Sequence, residues 1–444
     1  MSEASSGMSE VMSGGLRVLL IGSGGREHAM ARSILASPQL GELQVAPGNP
    51  GTAECNVVLD VDDHAAVVAH CQANSIHLVV VGPEVPLVAG LVDALAVANI
   101  KAFGPTARAA RLEGSKAFTR DFAERHGIPG PRVASFTEIE PALAWLDEVG
   151  VAVVVKADGL AAGKGVIIPE DRAETEEAIR AMLGGEMLGD AGARVVLEER
   201  LSGPELSLIA FCDGLVAKPF PPAQDHKRVG EGDTGPNTGG MGAFAPVPGV
   251  SAEDIAGYTA QFLQATLDGM AAEANPFVGM LYAGLMLTDD GPRLIEYNCR
   301  FGDPEAQVLL PLLGADILDV MTACTDQSLA DIDLAIGEGS AATVVVAAEG
   351  YPASATKNIP IPDVAVPDGA HIIQAGTTLD GEQLLSSGGR VLNVVGTGAD
   401  LDAALRSAYE VVDAVTAAEP RLFARPDIGW RHASNRSTSS GVSS

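Results

Sequence analysis

The segment Leu294 to Glu305, LIEYNCRFGDPE, sets a carboxylate and a carboxamide two positions apart in a run of strand character, then turns sharply into charged residues. Side chains two apart in a strand share a face, so Glu296 and Asn298 point the same way. Together they offer the hard oxygen ligands that Mg²⁺ takes when it also holds substrate phosphates. An ExN triplet alone decides nothing, because buried strands often end in polar turns. Arg300, Asp303 and Glu305, in a turn with Gly302 and Pro304, add charges that no apolar core absorbs unpaired.

Other segments carry compatible chemistry. Lys156 to Val166, KADGLAAGKGV, looks at first like a phosphate-binding P-loop, but the spacing from Gly159 to Gly163 is too short, Gly165 stands where Ser or Thr is required, and a strand follows instead of a helix. The reading that survives is a hairpin flap whose glycines let backbone N–H groups approach phosphates, with Lys156 and Lys164 supplying charge. Gly22 to His28, GSGGREH, lies where a first strand meets a helix N-terminus, a place that favours anions. Glu27 stands where a dinucleotide fingerprint needs its third glycine, so NAD is weakly supported and Arg26 suggests a phosphate or ribose. Gly82 to Leu87, GPEVPL, follows another strand at the same sheet edge and offers Glu84. Leu197 to Leu206 would present Glu198, or its backbone, and then Glu205 towards a cleft. Gln224 to Phe244 is glycine-dense yet holds Asp225, His226, Lys227, Arg228, Asp233, Thr234 and Asn237, a variety that suits a loop closing over a water-sensitive intermediate.

Composition narrows the classes. The formal charge of −30 argues against a broad nucleic-acid face, which needs clustered Lys and Arg. If the substrates are anionic, the 28 basic residues must be concentrated at the site with help from a metal. The five cysteines show no CxxC or zinc spacing and read as reduced thiols of a cytoplasmic protein. No apolar run has the length of a membrane helix, and residues 1–15 lack a signal-peptide core and read as a flexible extension.

These residues must be positioned by an alternating chain. RVLLIG starts a βαβ pattern, with a helix over Arg26 to Ala36, strands at LQVA, NVVLDV, HLVVVG and KAFG, and helices at His64 to Ala73, Gly90 to Ala98 and Ala107 to His126. That alternation predicts a parallel sheet. GIPGPRVAS leads into an α+β lobe with the glycine-rich hairpin, the helix DRAETEEAIRAML and the strand ARVVLEERL. Pro219 to Pro248 is too long for a simple turn and reads as functional or ordered by ligand. LYAGLMLTDDGPRLIEYNCR forms a second hairpin. Strands at ATVVVAAEGY and GGRVLNVVGTG with a helix over Ala403 to Ala414 mark a C-terminal domain, and the tail SNRSTSSGVSS reads as disordered.

GSGGREH, GPEVPL, FGPT, LEGSKAFTRDF, KADGLAAGKGV, QDHKRVG, DTGPNTGGMGA, YAGLM and EYNCRFGDPE occur in an order and spacing that closely resembles the glycinamide ribonucleotide synthetase (phosphoribosylamine–glycine ligase) family of the ATP-grasp superfamily, from about Arg17 to Arg431. The resemblance implies an α/β and α+β multidomain fold. It would comprise an N-terminal PreATP-grasp βαβ domain at 16–116, an ATP-grasp body at 117–335 with a flexible lid lobe at about 133–204, and a biotin-carboxylase-like C-terminal domain at 336–433, followed by a disordered tail at 434–444. It implies ligation of glycine to 5-phosphoribosylamine with ATP, through glycyl phosphate, in purine biosynthesis. Lys116 and Lys156 would contact ATP phosphates, covered by Gly163, Lys164 and Gly165. Glu198, Leu201 and Glu205 would meet adenine and ribose, and Glu296 and Asn298 would hold Mg²⁺ or Mn²⁺. Phosphoribosylamine would be met by Gly24, Gly25, Arg26, Glu27, Glu84, the Asp225 to Arg228 stretch and the loop of Asp233, Thr234, Gly235, Pro236, Asn237, Thr238, Gly239 and Gly240. Arg300 and Asp303, with Lys156, would serve the glycine and acyl-phosphate chemistry. The expected state is a monomer or weak dimer without nucleic-acid or membrane partners. The alternatives are another ATP-grasp carboxylate–amine ligase acting on formate or bicarbonate, a nucleotide-binding regulatory module without turnover, and a dehydrogenase.

Overall fold

The computed structural model describes residues 14–159, 165–185 and 193–432. The calls for the N-terminal extension and the C-terminal tail, and for Gly163 and Lys164, fall largely or wholly outside these residues. Near the N-terminus, Leu16–Gly22 (β1) runs into helix Gly25–Leu35 (α1), and Leu40–Pro47 (β2), helix His64–Ala73 (α2), Leu78–Val81 (β3), helix Leu91–Val97 (α3) and Lys101–Phe103 (β4) follow. The strands pair in parallel in the order β2-β1-β3-β4. The apolar runs of β1 and β3 are buried in full from Val18 to Ile21 and from Leu78 to Val81, as expected of a parallel sheet covered on both faces.

Two expectations fail here. NVVLDV forms no strand: after the bridge between Asn56 and Val45 the chain leaves the sheet, with Val58 fully exposed and Asp60, Asp62 and Asp63 leading into α2. Its apolar residues mimic a strand period, but the following aspartates favour turns and caps. The helix expected over Ala107 to His126 breaks at Ser115, whose extended backbone and Oγ, accepting from the Phe118 N–H at 3.2 Å, cap a new helix, Lys116–Arg125 (α4). The break places Lys116 in the first turn of α4.

The lobe that follows is an antiparallel sheet. Val133–Phe136 (β5), helix Ile139–Val149 (α5), Val153–Ala157 (β6), Val166–Ile167 (β7), helix Arg172–Leu183 (α6) and Val195–Glu199 (β8) assemble with strand order β5-β8-β6-β7. Leu146, Val155, Ile179, Met182 and Leu197 give it a core of its own. The body sheet uses Glu205–Asp213 (β9) and Ala217–Pro219 (β10). After the intervening short strands Gln224–Asp225 (β11), Arg228–Gly230 (β12), Thr234–Asn237 (β13) and Gly242–Ala245 (β14), the hairpin Val278–Thr288 (β15) and Gly291–Asn298 (β16) completes it in the order β10-β9-β15-β16. Helix Ile317–Thr325 (α7) packs on β9 and β15.

The last unit contains Ser340–Ala348 (β17), Ala370–Gln374 (β18), the hairpin Thr377–Asp380 (β19) and Gln383–Ser386 (β20), Arg390–Gly398 (β21), helix Leu401–Ala418 (α8) and Leu422–Phe423 (β22). Its sheet runs β11-β14-β17-β21-β18, with β22 also on β17. The stretch from Pro219 to Pro248 is thus ordered by the protein itself, through strands that cross from the body into the C-terminal sheet.

The N-terminal and C-terminal units meet at α1 and β18. His28 accepts a hydrogen bond at Nδ1 from the Gln374 N–H at 2.9 Å. Burial, reinforced by Arg32, depresses His28 to about 4, and burial, Arg32 and His28 depress His371 to about 4. A histidine kept neutral by the fold contributes stability above its unfolded value near 6.5 and loses it as pH falls towards 4. The melting temperature is therefore expected to decline from about pH 6.5 to about pH 4, and His28→Gln to flatten that slope. An equal slope in the variant would remove His28 from the effect.

Candidate active site

The end of β16 is the centre of the site. The ladder with β15 shifts register so that Glu296 pairs with Gly284 while Leu294 pairs with Leu285, leaving Ile295 as a bulge. The bulge lets Leu294 and Tyr297 both face the core while Glu296 and Asn298 stay half-buried. Burial alone would raise the Glu296 carboxyl, but Lys227, Lys156 and Lys116 outweigh it and hold the group below its ordinary range, as an anion. The Asn298 Oδ1 accepts from Arg300 Nη2 at 3.2 Å.

The freed Ile295 carbonyl accepts from Arg120 and, at 3.5 Å, from Lys156 Nζ. Lys156 also pairs with Glu198 at 2.7 Å, and Arg120 grips the same carboxylate with two bonds of 2.7 and 2.8 Å. Burial opposes the charge on Glu198, but Arg120 and Lys156 overcome it and hold its carboxyl at about 2. This carboxylate is therefore committed within the protein, to Arg120 and Lys156. Lys116 Nζ donates to the Gly159 carbonyl at 3.0 Å, and the Asp158 carboxylate accepts from Ser115 Oγ at 3.0 Å and from the Ala117 N–H at 3.2 Å. Asp158 and Gly159, which follow β6, are thereby fastened to the N-terminus of α4. Gly165, just before β7, accepts from the Ala157 N–H at 2.8 Å. Leu201 lies half-buried between β8 and β9, and Glu205 opens β9 with its carboxylate 3.9 Å from Lys227.

Arg300 lies between Glu84 at 3.1 Å and Glu113 at 2.6 Å, so Glu84 is neutralised by the turn. Asp303 is held on both oxygens, by Gln307 at 2.7 Å and Arg390 at 3.1 Å. Glu27 is also spent locally. It accepts from the Gly24 N–H at 2.6 Å and from Arg26 Nε at 2.6 Å, and it lies so close to Gly82 that a Cβ there would come within 2.2 Å of Oε1. Gly25 sits against Asn393 and Gln307, and Arg26 donates to the Phe301 carbonyl at 3.0 Å, which joins the α1 turn to the Arg300 turn.

The Asp225 to Gly240 residues divide by direction. Lys227 Nζ bonds Asp225 at 2.8 Å inside the carboxylate cluster, whereas His226 Nε2 accepts from the Gly429 N–H at 3.1 Å. Burial, then Arg425, depress His226 to about 4, so the ring is uncharged at neutral pH and carries its one proton on Nδ1. Asp233 is paired with Arg425 and Arg431. Arg228 donates to the Gly235 carbonyl at 2.7 Å, Thr238 donates to the Lys227 carbonyl at 2.8 Å and caps the Gly240 N–H, and Arg390 holds the Gly239 carbonyl at 2.7 Å. Thr234, Gly235 and Pro236 are exposed, with Asn237 half-buried behind them.

Models of the phosphoribosylglycinamide synthetase N domain, ATP-grasp (A) domain and C domain match residues 16–113, 114–306 and 341–431. The chain belongs to the phosphoribosylglycinamide synthetase family. It is accordingly an ATP-grasp ligase of purine biosynthesis. A phosphoribosylamine–glycine ligase of Mesorhizobium japonicum is 50% identical over 420 residues, covering 94% of this chain and 98% of that protein. The crystal structure of the Thermotoga maritima phosphoribosylamine–glycine ligase superposes with a TM-score of 0.79 at 32% identity, over 94% of this chain and 100% of that one. The biotin carboxylase domain of a Hydrogenobacter thermophilus 2-oxoglutarate carboxylase, 18% identical, has the same fold with a TM-score of 0.69 over 89% of each chain.

Sequence reasoning left out several residues of this synthetase site. Arg120 and Glu113 both lie within LEGSKAFTRDF, whose residue pattern gives them no role. Arg390, from β21, reaches the Asp303 carbonyl at 2.6 Å, a contact over 87 positions that no local pattern announces. Tyr282 donates to Glu305 at 2.8 Å, and burial together with the nearby Asp225 raises the Glu305 carboxyl.

Proposed function

We propose that this family member joins glycine to 5-phosphoribosylamine, converting ATP to ADP and phosphate through glycyl phosphate. A glycine carboxylate oxygen attacks the γ-phosphorus and displaces ADP. The amine nitrogen then attacks the acyl carbon, displaces phosphate and loses a proton. Phosphoryl transfer of this kind needs in-line positioning and charge neutralisation and no protein nucleophile. The observation that carries the reading is the ionised Glu296 set among Lys116, Lys156 and Lys227 at the base of the flap.

A divalent ion, Mg²⁺ or Mn²⁺, fits this donor set. Glu296 and Asn298 supply two hard oxygens, and among the described residues no group of three or more His, Cys, Asp or Glu forms a closed cage, which suits an ion shared with substrate phosphates. When bound, it would neutralise charge developing on the polyphosphate. Lys116 and Lys156 would bear on the same phosphates, and Arg300 and Asp303, fixed by Glu113 and Arg390, would orient glycine. Gly24 to Glu27, Glu84 and the Asp225 to Gly240 loop would receive the sugar amine, with Glu27 and Asp233 acting by shaping the backbone. A closed flap would protect the acyl phosphate from water.

Cytoplasmic operation as a monomer or weak dimer belongs to this proposal, and the formal net charge of −30 argues against nucleic-acid partners. Among the described residues no helix is long and apolar enough to cross a membrane. A coupled ADP assay with glycine, with and without freshly made phosphoribosylamine, tests the assignment. Release of ADP that depends on both is expected. Release with formate or bicarbonate in place of glycine would select another carboxylate–amine ligase.

A further inference from the structure

We propose that the C-terminal segment Arg425 to His432 is a clasp and that Arg425 is a positioning residue for the sugar-amine half of the reaction, an inference that rests on the assignment of the Asp225 to Gly240 loop to that substrate. Arg425 is 1% exposed, yet it lies on no strand or helix of its own. Its Nη1 donates to Asp233 Oδ1 at 2.9 Å and to the Arg228 carbonyl at 3.0 Å, and its Nε and Nη2 each reach Asp427 at 2.8 Å. Asp427 accepts in turn from the Gly232 N–H at 2.8 Å, and Arg431 takes the other oxygen of Asp233 at 2.9 Å. Tyr409 in α8 donates to the Arg425 carbonyl at 2.9 Å and accepts from the Ile428 N–H at 2.9 Å, which ties the clasp to the C-terminal helix.

The geometry shows what the clasp holds. Gly232 and Asp233 form the turn between β12 and β13 with φ of +67° and +58°, a left-handed conformation that is unfavourable for a residue with a side chain. Two arginines on the Asp233 carboxylate offset that cost and fix the hairpin. The second hold is His226, bonded to the Gly429 N–H. Side chains alternate along extended chain, so anchoring His226 on the clasp turns its neighbours Asp225 and Lys227 the other way, where they meet each other at 2.8 Å and face Glu205. Burial of this guanidinium, bonded to Asp233, to the Arg228 carbonyl and to Asp427, places one end of the loop under the control of residues about two hundred positions away.

The test uses the full chain with Arg425→Met, Arg425→Lys and, from the surface side of the same carboxylate, Arg431→Met. Three quantities are read: the KM of each substrate, the glycine-dependent exchange of labelled oxygen within ATP without amine, and the melting temperature. Arg425→Met is expected to raise the KM of phosphoribosylamine about tenfold or more while the exchange stays within about twofold of the parent. Arg425→Lys should recover part of the loss, and Arg431→Met should move the same KM less. If the KM values and the exchange change together in Arg425→Met, or the KM of the amine is unmoved in both Arg425→Met and Arg431→Met, the clasp has no positioning role. Should the parent chain itself show neither exchange nor amine-dependent ADP release, the reaction assignment fails first and the clasp's role falls with it.

Discussion

Glu296→Gln is expected to lower turnover on the order of a hundredfold or more, with the fold unchanged. The substitution keeps volume and one oxygen but removes the only charge that β16 offers to a cation. Lys116, Lys156 and Lys227 hold that carboxylate ionised, and the pairing of Glu296 with Gly284 leaves no side chain directly across the ladder to replace it. The loss should be largest at limiting Mg²⁺ and should shrink as the ion approaches saturation, because a weakened ligand set raises the concentration needed. The coupled ADP assay across a Mg²⁺ series measures both. Near-normal turnover at limiting Mg²⁺ would remove Glu296 from the metal site.

The contrast between Glu296 and its surroundings shows which parts of the site are written locally. The spacing of Glu296 and Asn298 and the apolar runs of β1 and β3 are short-range signals, and each lies in the element expected of it. The bulge at Ile295 was invisible, since strict alternation would have placed Leu294 on the face of Glu296. The order within Pro219 to Pro248 was also invisible. β11 and β14 owe their conformation to β17, about a hundred residues later, and a strand of two to four residues has no period to detect. The same holds for Arg390 and Arg425. Each is an ordinary basic residue in sequence and becomes part of the site only when the C-terminal sheet brings it against Asp303 or Asp233. Seen in the structure, Glu27 and Asp233 are paired on both oxygens with partners within the protein, a distinction that residue type cannot make.

Glu198→Gln carries the largest expected cost in stability. The carboxylate is 3% exposed and compensates two buried cations at once, Arg120 through two bonds and Lys156 through one. Removing one partner from a buried ionic group leaves uncompensated charge, a loss of about 3–5 kcal/mol, whereas the adjacent Glu199, facing the half-exposed Arg132 at 3.5 Å, should lose less than about 1 kcal/mol on the same change. The pH dependence follows from the depressed carboxyl. Its folded value near 2 lies below the ordinary 4.5, so its contribution is complete above about 4.5 and is lost as pH falls towards 2. Denaturant midpoints of parent and variant should therefore differ by a constant amount from about pH 8 to about pH 5 and converge below that. The KM of ATP should rise as well, because Lys156 would keep only its long contact with the Ile295 carbonyl. An unchanged midpoint would mean that the carbonyls of Leu294 and Ile295, which already accept from Arg120, suffice to hold both cations, and that Glu198 acts on the nucleotide directly.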